Sequence, residues 1–196
     1  LAGNYSTDTG GGIFGRESTV VIEKCVIQNN YAEIEGSAMK FMDSNSNILV
    51  LNSTITNNFS NGNNAGNQCP GAIVPSSNAQ INIRNSILWN NNPLEICEIS
   101  PINSVTYSNI ENGWVGEGNI SQSPLFTDSS SENFNLQSTS PCIDAGDPNS
   151  DLDPDGTIAD MGAFYYEQTL YGCTNPGACN YDSNSTVDDG SCLYYD

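Results

Sequence analysis

Four aspartates lie close together near the end of the longer part of the chain: Asp151, Asp153, Asp155 and Asp160. The first three alternate with other residues before Gly156, so their carboxylates can converge on one hard cation through oxygen ligands. The spacing predicts a calcium site. The alternative is an acidic, solvated turn, because the later Glu of a complete EF-hand loop is absent.

A second set of oxygen ligands follows the same alternating pattern, at Asp182, Asn184, Thr186 and Asp189. In this set Thr186 would contribute its backbone carbonyl. The pattern predicts a second calcium site, with an Asx-rich turn as the alternative.

The residues that usually carry catalysis are scarce. The chain has no His, which removes the usual base of a Ser or Cys nucleophile and disfavours tetrahedral zinc. A lyase acting on uronate polymers needs several cations, whereas this chain has only four, Arg16, Lys24, Lys40 and Arg84. We expect Glu23 and Glu35 to be solvated, and we predict that the protein is not an enzyme.

Aromatic side chains offer a different kind of site. Trp89, Trp114, Tyr165 and Tyr166 could stack on sugar rings, although isolated aromatics more often serve in packing. Trp89 is the residue we select as a ligand-binding candidate.

The amino-acid composition limits the kinds of partner that the protein can bind. The chain contains 4 Lys and Arg against 23 Asp and Glu, a formal net charge of -19, so nucleic acid is an improbable partner. No apolar run approaches the roughly eighteen residues that a membrane span needs. The ordered spacing of the apolar residues argues against disorder.

The elements that position these residues come from an internal repeat. One phrase occurs at residues 20–30, 48–58, 81–91 and 103–113, at offsets of 28, 33 and 22 residues. Aligned copies give columns of constant chemistry, which are Val20, Ile48, Ile81 and Asn103; Ile22, Val50, Ile83 and Val105; Cys25, Ser53, Ser86 and Ser108; and Ile27, Ile55, Leu88 and Ile110.

Within each copy, alternate residues such as Val20 and Ile22 should point inward, and Val21 and Glu23 outward, which is the period of a strand. Because so short a strand cannot bury its own apolar face, each copy must stack on the next, and the fold class is an all-β solenoid of parallel strands. The length variation should lie in loops, chiefly residues 57–71.

The repeats also share an asparagine near their ends. We expect Asn30, Asn58 and Asn91 to hydrogen-bond to one another along the solenoid. Gly113 stands in that position in the last copy, as expected near an end of the stack.

Over about residues 10–165 this phrase with its terminal Asn pair resembles the right-handed parallel β-helix repeats of the pectate-lyase-like superfamily. Residues 140–163, which include Cys142, Asp144 and Gly146, resemble the closing segment of many bacterial surface β-helix proteins. That resemblance implies a cap on the end of the helix with no catalytic role.

The composition changes after Glu167. The Gly-Cys-Thr, Ala-Cys-Asn-Tyr and Asp-Asp-Gly-Ser-Cys blocks within residues 171–192 resemble a short Cys-rich repeat of large exported proteins of Bacteroidetes-like bacteria. We therefore predict two units, residues 1–167 and residues 168–196. A unit as small as the second needs cross-links or a metal for stability.

Seven cysteines favour an exported, oxidising environment. Cys25 shares a column with serines, so we predict a buried, free thiol there. The remaining six allow fifteen pairings. Our selected pairs are Cys173 with Cys192 and Cys69 with Cys97, while Cys142 and Cys179 stay open.

These features together predict a non-catalytic extracellular structural or adhesion module of a bacterial cell-surface or fibre-forming protein, rigidified by calcium and disulfides. Its partners would be other protein modules, copies of itself or glycans, without direct membrane insertion. The start at Leu1 has the character of the middle of a repeat, so we expect a processed or excised chain. The alternatives are a carbohydrate-binding adhesin and a polysaccharide lyase or hydrolase.

Overall fold

The computed structural model describes residues 1–62, 69–97 and 104–195, which form an all-β structure. A single 3-10 turn, Ser129–Ser131, is the one helical element of this described part. In chain order the strands are β1 (Tyr5–Ser6), β2 (Ile13–Arg16), β3 (Thr19–Glu23), β4 (Val26–Gln28), β5 (Tyr31–Ala32), β6 (Met39–Met42), β7 (Asn47–Leu51), β8 (Thr54–Thr56), β9 (Phe59–Ser60), β10 (Ile73–Pro75), β11 (Gln80–Arg84), β12 (Ile87–Trp89), β13 (Ser104–Thr106), β14 (Asn109–Ile110), β15 (Phe126–Asp128), β16 (Asn133–Leu136), β17 (Tyr171–Gly172) and β18 (Val187–Asp188).

The first fourteen strands form parallel sheets that the chain visits in a repeating order. Sheet I contains β1, β5 and β9; sheet II contains β2, β6 and β10; sheet III contains β3, β7, β11 and β13; and sheet IV contains β4, β8, β12 and β14. Each strand therefore pairs with the strand that occupies the same place in the next copy of the repeat, which the sequence pattern predicts.

The strand register confirms the predicted columns. In sheet III Ile22 pairs with Val50, and Ile83 pairs with both Val50 and Val105. In sheet IV the corresponding column runs through Ile27, Ile55, Leu88 and Ile110. The first column is present at Val20, Ile48 and Ile81, whereas Asn103 lies outside the described residues.

The predicted alternation is also confirmed. In β3 Val20 and Ile22 lie toward the interior, while Val21 and Glu23 are exposed. The apolar core inside the sheets includes Ile48, Ile55 and Ile81, none of which exposes measurable surface. The connection from β9 to β10 is longer than that from β5 to β6, as predicted, although residues 63–68 within it are not described.

Two corners of each repeat adopt the left-handed backbone conformation. One corner follows sheet III and the other follows sheet IV. The corner after sheet IV explains the Asn pair, because the first Asn of the pair takes a positive φ there, which Asn tolerates better than most residues. The corner after sheet III lies at Lys24, Asn52, Asn85 and Tyr107, and the corner after sheet IV at Asn29, Asn57, Asn90 and Asn112.

The second member of each Asn pair forms a buried ladder, as predicted. Asn58 accepts hydrogen bonds at Oδ1 from the Asn30 backbone N–H (3.0 Å) and Nδ2 (2.9 Å), and it donates equivalent bonds to Oδ1 of Asn91. The ladder is longer than expected, because Asn4 bonds to Asn30 in the same way. At its other end Asn91 donates to the carboxyl group of Glu95. We call these five residues the Asn ladder.

A parallel ladder of hydroxyl groups runs through the serine column. Ser86 Oγ accepts from the Ser53 backbone N–H (3.2 Å), and Ser53 Oγ accepts from the N–H of Cys25 (3.2 Å). The prediction that Cys25 is buried is wrong: it is a free thiol, but exposed. It lies in the first copy of the repeat, so no earlier strand covers it, whereas the serines are covered from both sides.

The prediction that Glu35 is solvated is also wrong. Glu35 and Lys40 form an ion pair in which both residues are buried. The backbone N–H of Cys69 donates to the other carboxylate oxygen of Glu35 (2.9 Å). Cys69, shortly before β10, therefore lies against the buried pair.

Residues after β14 cover the end and one side of the stack. Trp114 packs against the apolar core, and Asn119 Oδ1 accepts from the Ser108 N–H (3.0 Å), which continues the serine ladder. The segment 140–163, expected to cap the end, instead lies along the corner after sheet III. There the N–H of Asp147 donates to Asn85 Oδ1, and the N–H of Ala163 to Thr54 Oγ1.

The C-terminal residues contain β17 and β18, which pair in parallel. The disulfide Cys173–Cys192 links the two ends of this region. Most of its large side chains are exposed, and Cys173 is its one buried apolar residue among those described. None of the described residues belongs to a helix with the length and hydrophobicity that crossing a membrane requires.

Candidate functional site

The predicted calcium-binding aspartates of the first loop accept hydrogen bonds from backbone amides. Asp160 accepts from the N–H of Asp144 (2.7 Å) at Oδ1 and from that of Tyr166 (2.6 Å) at Oδ2. Asp153 Oδ2 accepts from the N–H of Asp160 (2.7 Å). The loop is therefore closed by its own carboxylates.

Asp155 and Asp151 differ in their surroundings. Asp155 accepts from Thr157 at Oδ1 and from the N–H of Gln168 at Oδ2 (2.9 Å), which ties the loop to the start of the C-terminal region. Asp151 is exposed. The structure thus brings Asp153 and Asp160 together, with Asp155 directed to Gln168 and Thr157.

Burial and neighbouring charges perturb these carboxyl groups. Burial raises the pKa of Asp160 to about 6, and the charges of Asp153 and Asp144 act in the same direction. Burial also raises the pKa of Asp153. For Asp155 burial acts upward, but the hydrogen bonds from Gln168 and Thr157 outweigh it and lower the pKa.

In the second predicted loop, Asp182 accepts from the N–H of Asn184 (3.0 Å) and from Ser185 Oγ. Asp189 accepts from the N–H of Ser191, and Thr186 hydrogen-bonds to Leu170. Within the described ranges, no group of three or more Cys, Asp or Glu side chains is gathered so that it could hold a metal ion. Both calcium sites stay predictions.

The structure contains the two selected disulfides, Cys69–Cys97 and Cys173–Cys192. Cys142 and Cys179 are free thiols. Cys142 is buried, and burial raises its pKa to about 11. It therefore behaves as an apolar residue of the second core cluster, where it lies with Ile87, Leu136 and Met161.

Removing the second disulfide tests the division into two units. We expect Cys192→Ser to abolish hydrogen-exchange protection within residues 171–192, because little apolar burial holds that region. The free energy of unfolding of the first unit, residues 1–167, should change by less than about 0.5 kcal/mol. Exchange mass spectrometry of this variant, with Cys25→Ser as control, makes the measurement. Loss of protection throughout the sheets would contradict two separate units.

Trp89 lines a pocket of about 330 Å³ on the outer side of sheet IV. Its ring also packs against the second core cluster, so the side chain is half-buried. None of the residues described as lining this pocket is charged: they are Thr56, Asn57, Trp89, Asn90, Ser123, Pro124, Leu125, Phe126, Ser129 and Gln137. Trp89 thus has both a packing role and a place at a pocket.

The other three aromatic residues considered for sugar stacking differ in their burial. Trp114 packs against the main core and Tyr166 against the second cluster. Tyr165 is 40% exposed and lies beside Phe164 at a separate pocket of about 340 Å³. We call this the Lys24 pocket; its lining residues are Lys24, Asn52, Asn135, Asp153, Pro154, Asp160, Gly162, Ala163, Phe164 and Tyr165.

The Lys24 pocket is the feature that the sequence did not reveal. It forms where residues 153–165 lie against the corner after sheet III, at Lys24 and Asn52. Two of the predicted calcium ligands, Asp153 and Asp160, are part of its wall. The polar residues at this corner are visible in the sequence. The segment that they contact, however, lies more than a hundred residues later in the chain.

Comparisons with protein-family models, with curated proteins and with solved structures found no match. The class that the structure defines is therefore an all-β protein of stacked parallel strands with two disulfides. The resemblances to the pectate-lyase-like superfamily and to the Bacteroidetes Cys-rich repeat remain predictions.

Proposed function

We propose that the first fourteen strands form the coils of a right-handed parallel β-helix solenoid, followed by a small Cys-rich module. The repeated passage through sheets I to IV supports this architecture, since each strand pairs with its counterpart in the next copy. The two left-handed corners recur in every copy, as coils of one shape require.

The proposed function is that of a non-catalytic extracellular structural or adhesion module, displayed on a bacterial surface or built into a fibre. The observation that carries it is the Asn ladder, whose buried side chains fix each coil to its neighbours. Fully satisfied buried networks of this kind favour one rigid arrangement. Such a rod suits support and display.

The distribution of cations favours a non-catalytic role. Lys40, Arg84 and Arg16 are paired with Glu35, Asp147 and Asp43, respectively. Lys24 alone of the four cations makes no ion pair within the described part of the chain. This pairing of three of the four cations among the described residues supports a non-catalytic role, because a lyase needs several free cations around a uronate.

The disulfides support an exported location, because such bonds persist in oxidising compartments. In the proposal the partners are other modules of the same surface assembly or copies of this chain. The strongly acidic surface, with a net charge of -19, argues against nucleic acid.

A turnover assay tests the non-catalytic assignment. We expect no new reducing ends and no unsaturated uronate absorbance when the intact chain is incubated with neutral and uronate polysaccharides. The assay should be repeated with calcium present and across pH 5 to 9. Multiple turnover on any of these polymers would replace the structural function with an enzymatic one.

Calcium is a separate part of the proposal. Mutual repulsion among Asp153, Asp160 and Asp144 is a reason why a cation would stabilise this loop. The prediction is a higher thermal midpoint in millimolar calcium than in excess chelator, because a ligand that binds only the folded state stabilises it. Coinciding unfolding curves would show that the hydrogen bonds of the loops suffice without metal. Asp153→Asn should abolish any calcium effect at the first loop.

A carbohydrate-binding adhesin is the second candidate function. It is favoured by two open pockets that combine aromatic rings with amide groups, one at Trp89 and one at Tyr165. Binding of the intact chain to an array of oligosaccharides tests it. Separate alanine variants of Trp89 and Tyr165 identify the pocket.

A further inference from the structure

We propose that the Lys24 pocket is the glycan-binding site, and that it takes a segment of a neutral oligosaccharide in preference to an acidic one. This inference rests on the second candidate function and deepens it by naming the site and the class of ligand. Its volume of about 340 Å³ lies within the range usual for small-ligand sites.

The frame of the pocket is rigid. Lys24 and Asn52 occupy equivalent corner positions one coil apart, and the N–H of Lys24 donates to the carbonyl of Leu51 (3.2 Å). On the opposite wall, the N–H of Gly162 donates to the carbonyl of Asn85 (2.9 Å). Both walls are thus attached to the same set of coils.

The apolar surface of the pocket comes from Phe164 and Tyr165. Their side chains are 41% and 40% exposed, respectively, which is unusual for two adjacent aromatics that line a cavity. Aromatic faces of this kind pack against the C–H face of a pyranose ring, while the Tyr hydroxyl reaches water or a sugar hydroxyl. The pair therefore offers a stacking platform.

The polar groups around the platform are available to a ligand. The described structure gives no hydrogen-bond partner to the Lys24 ammonium, the Asn52 side-chain amide or the Tyr165 hydroxyl. Asp153 uses Oδ2 for the N–H of Asp160, which leaves Oδ1 free. Together these groups supply donors and acceptors in the mixture that adjacent sugar hydroxyl groups require.

The charges select against an acidic sugar. Lys24 is the one cation of the lining, which also includes two carboxyl groups, those of Asp153 and the buried Asp160. A uronate would add a third negative group to this site in a protein whose net charge is -19. Without calcium the attraction to Lys24 is therefore offset, and neutral hydroxyl groups fit better, whereas a calcium ion at the first loop would cancel the carboxylate charges.

A neighbouring pocket extends the site beyond one sugar. It has a volume of about 280 Å³ and shares Lys24, Asn52 and Asp153 with the Lys24 pocket. Arg84, on its far side, is already paired with Asp147 (3.2 Å). The two adjacent pockets along the corner thus offer room for a short stretch of an oligosaccharide chain.

The Trp89 pocket provides the matched comparison. Its aromatic ring packs against the second core cluster, so part of the ring is already covered. Its Gln137 side chain donates to the carbonyl of Phe126 (2.8 Å), and Thr56 Oγ1 donates to the carbonyl of Trp89 (2.7 Å). Fewer groups remain free there than in the Lys24 pocket.

Titration calorimetry of the intact chain in excess chelator tests the inference. The probes are neutral hexasaccharides of glucose, xylose, mannose and galactose, with hexagalacturonate as the acidic counterpart. We expect at least one neutral probe to bind and to be preferred over hexagalacturonate. Tyr165→Ala should weaken that binding at least about tenfold, the equivalent of 1.4 kcal/mol.

Two further variants make the result specific. Asn52→Gly keeps the left-handed backbone but removes the amide, so it should also weaken binding. Trp89→Ala should leave the affinity within about twofold. Thermal unfolding of each variant shows that the fold is retained.

Each contrary result has its own meaning. Preference for hexagalacturonate, or loss of binding in Trp89→Ala with retention in Tyr165→Ala, would overturn the assignment of this pocket to neutral sugars. Absence of binding by all probes would overturn both the inference and the adhesin candidate, while the rigid, non-catalytic module would stand. Hydrolysis of a probe would instead overturn the main proposal.

Discussion

Replacing Asn58 by alanine is expected to lower the free energy of unfolding by about 4 kcal/mol, the largest effect of any single substitution that we predict. Asn58 is 1% exposed and lies in the middle of the Asn ladder. Its removal takes away the Oδ1 that accepts from the backbone N–H and the Nδ2 of Asn30, while Asn91 Oδ1 keeps the bond from the backbone N–H of residue 58. A buried polar group left unsatisfied costs about 1–3 kcal/mol. Urea unfolding followed by circular dichroism gives the measurement.

Asn61→Ala is the matched control. Asn61 is exposed, and its Nδ2 donates to Glu33 at the surface (3.1 Å). Its replacement should change stability by less than about 0.5 kcal/mol. Equal small effects of Asn58→Ala and Asn61→Ala would contradict a ladder that holds the coils together.

The second large effect concerns pH and the carboxyl group at the end of the ladder. Burial raises the pKa of Glu95 to about 8; hydrogen bonds from Asn91 lower it, and the neighbouring Glu111 raises it. A group whose pKa is raised on folding stabilises the folded state in its protonated form. Its contribution is present below about pH 4.5, and it is lost as the pH rises to about 8.

We therefore expect Glu95→Gln to gain stability relative to the wild type between pH 5 and pH 9, by on the order of 3 kcal/mol. The Gln carbonyl oxygen can still accept one of the two hydrogen bonds that Asn91 donates to Glu95, the other is lost, and the side chain cannot ionise. Asp160, whose raised pKa of about 6 gives a similar loss at lower pH, is unchanged in both proteins and cancels in the difference. Urea unfolding of both proteins at each pH provides the comparison.

Glu111→Gln serves as a second variant, because it removes the charge that repels Glu95 and leaves the hydrogen bonds from Asn91 to Glu95 in place. It should show a smaller gain than Glu95→Gln over the same pH range. If wild type and Glu95→Gln keep a constant difference in stability from pH 5 to pH 9, Glu95 is not a buried carboxyl group with a raised pKa.

The stacking of strands was predictable because it is a local property that repeats. Alternation at Val20 and Ile22, and the recurrence of the same residue types in later copies, establish which residues lie inward and which pair. The Asn ladder follows from the same alignment. Its extension to Asn4 was missed because the first copy lacks the rest of the phrase.

The wrong predictions concern residues whose burial depends on their position in the stack or on a segment distant in sequence. Cys25 has the residue type of a buried column but lies at the edge, so it is exposed. Glu35 has the sequence surroundings of a surface residue, yet Lys40 and the backbone of Cys69 enclose it.

The candidate site was predictable only in part. Residue type predicted Tyr165 as a candidate for stacking on sugar rings, and spacing predicted the aspartates of the first loop as calcium ligands. Neither pattern indicated that these residues share one site. Their place beside Lys24 and Asn52 depends on how residues 140–163 lie against the corner after sheet III. No periodicity in the sequence encodes that contact, since it joins a loop to the side of the stacked sheets.

Nuclear Overhauser contacts between backbone protons of β7 and its neighbours test the central claim, the parallel stacking of coils, most directly. Because Val50 pairs in parallel with both Ile22 and Ile83, we predict inter-strand contacts from β7 to β3, 28 residues earlier, and to β11, 33 residues later. Contacts in antiparallel register, or contacts from β7 only to strands adjacent in sequence, would contradict the solenoid and the functions proposed from it.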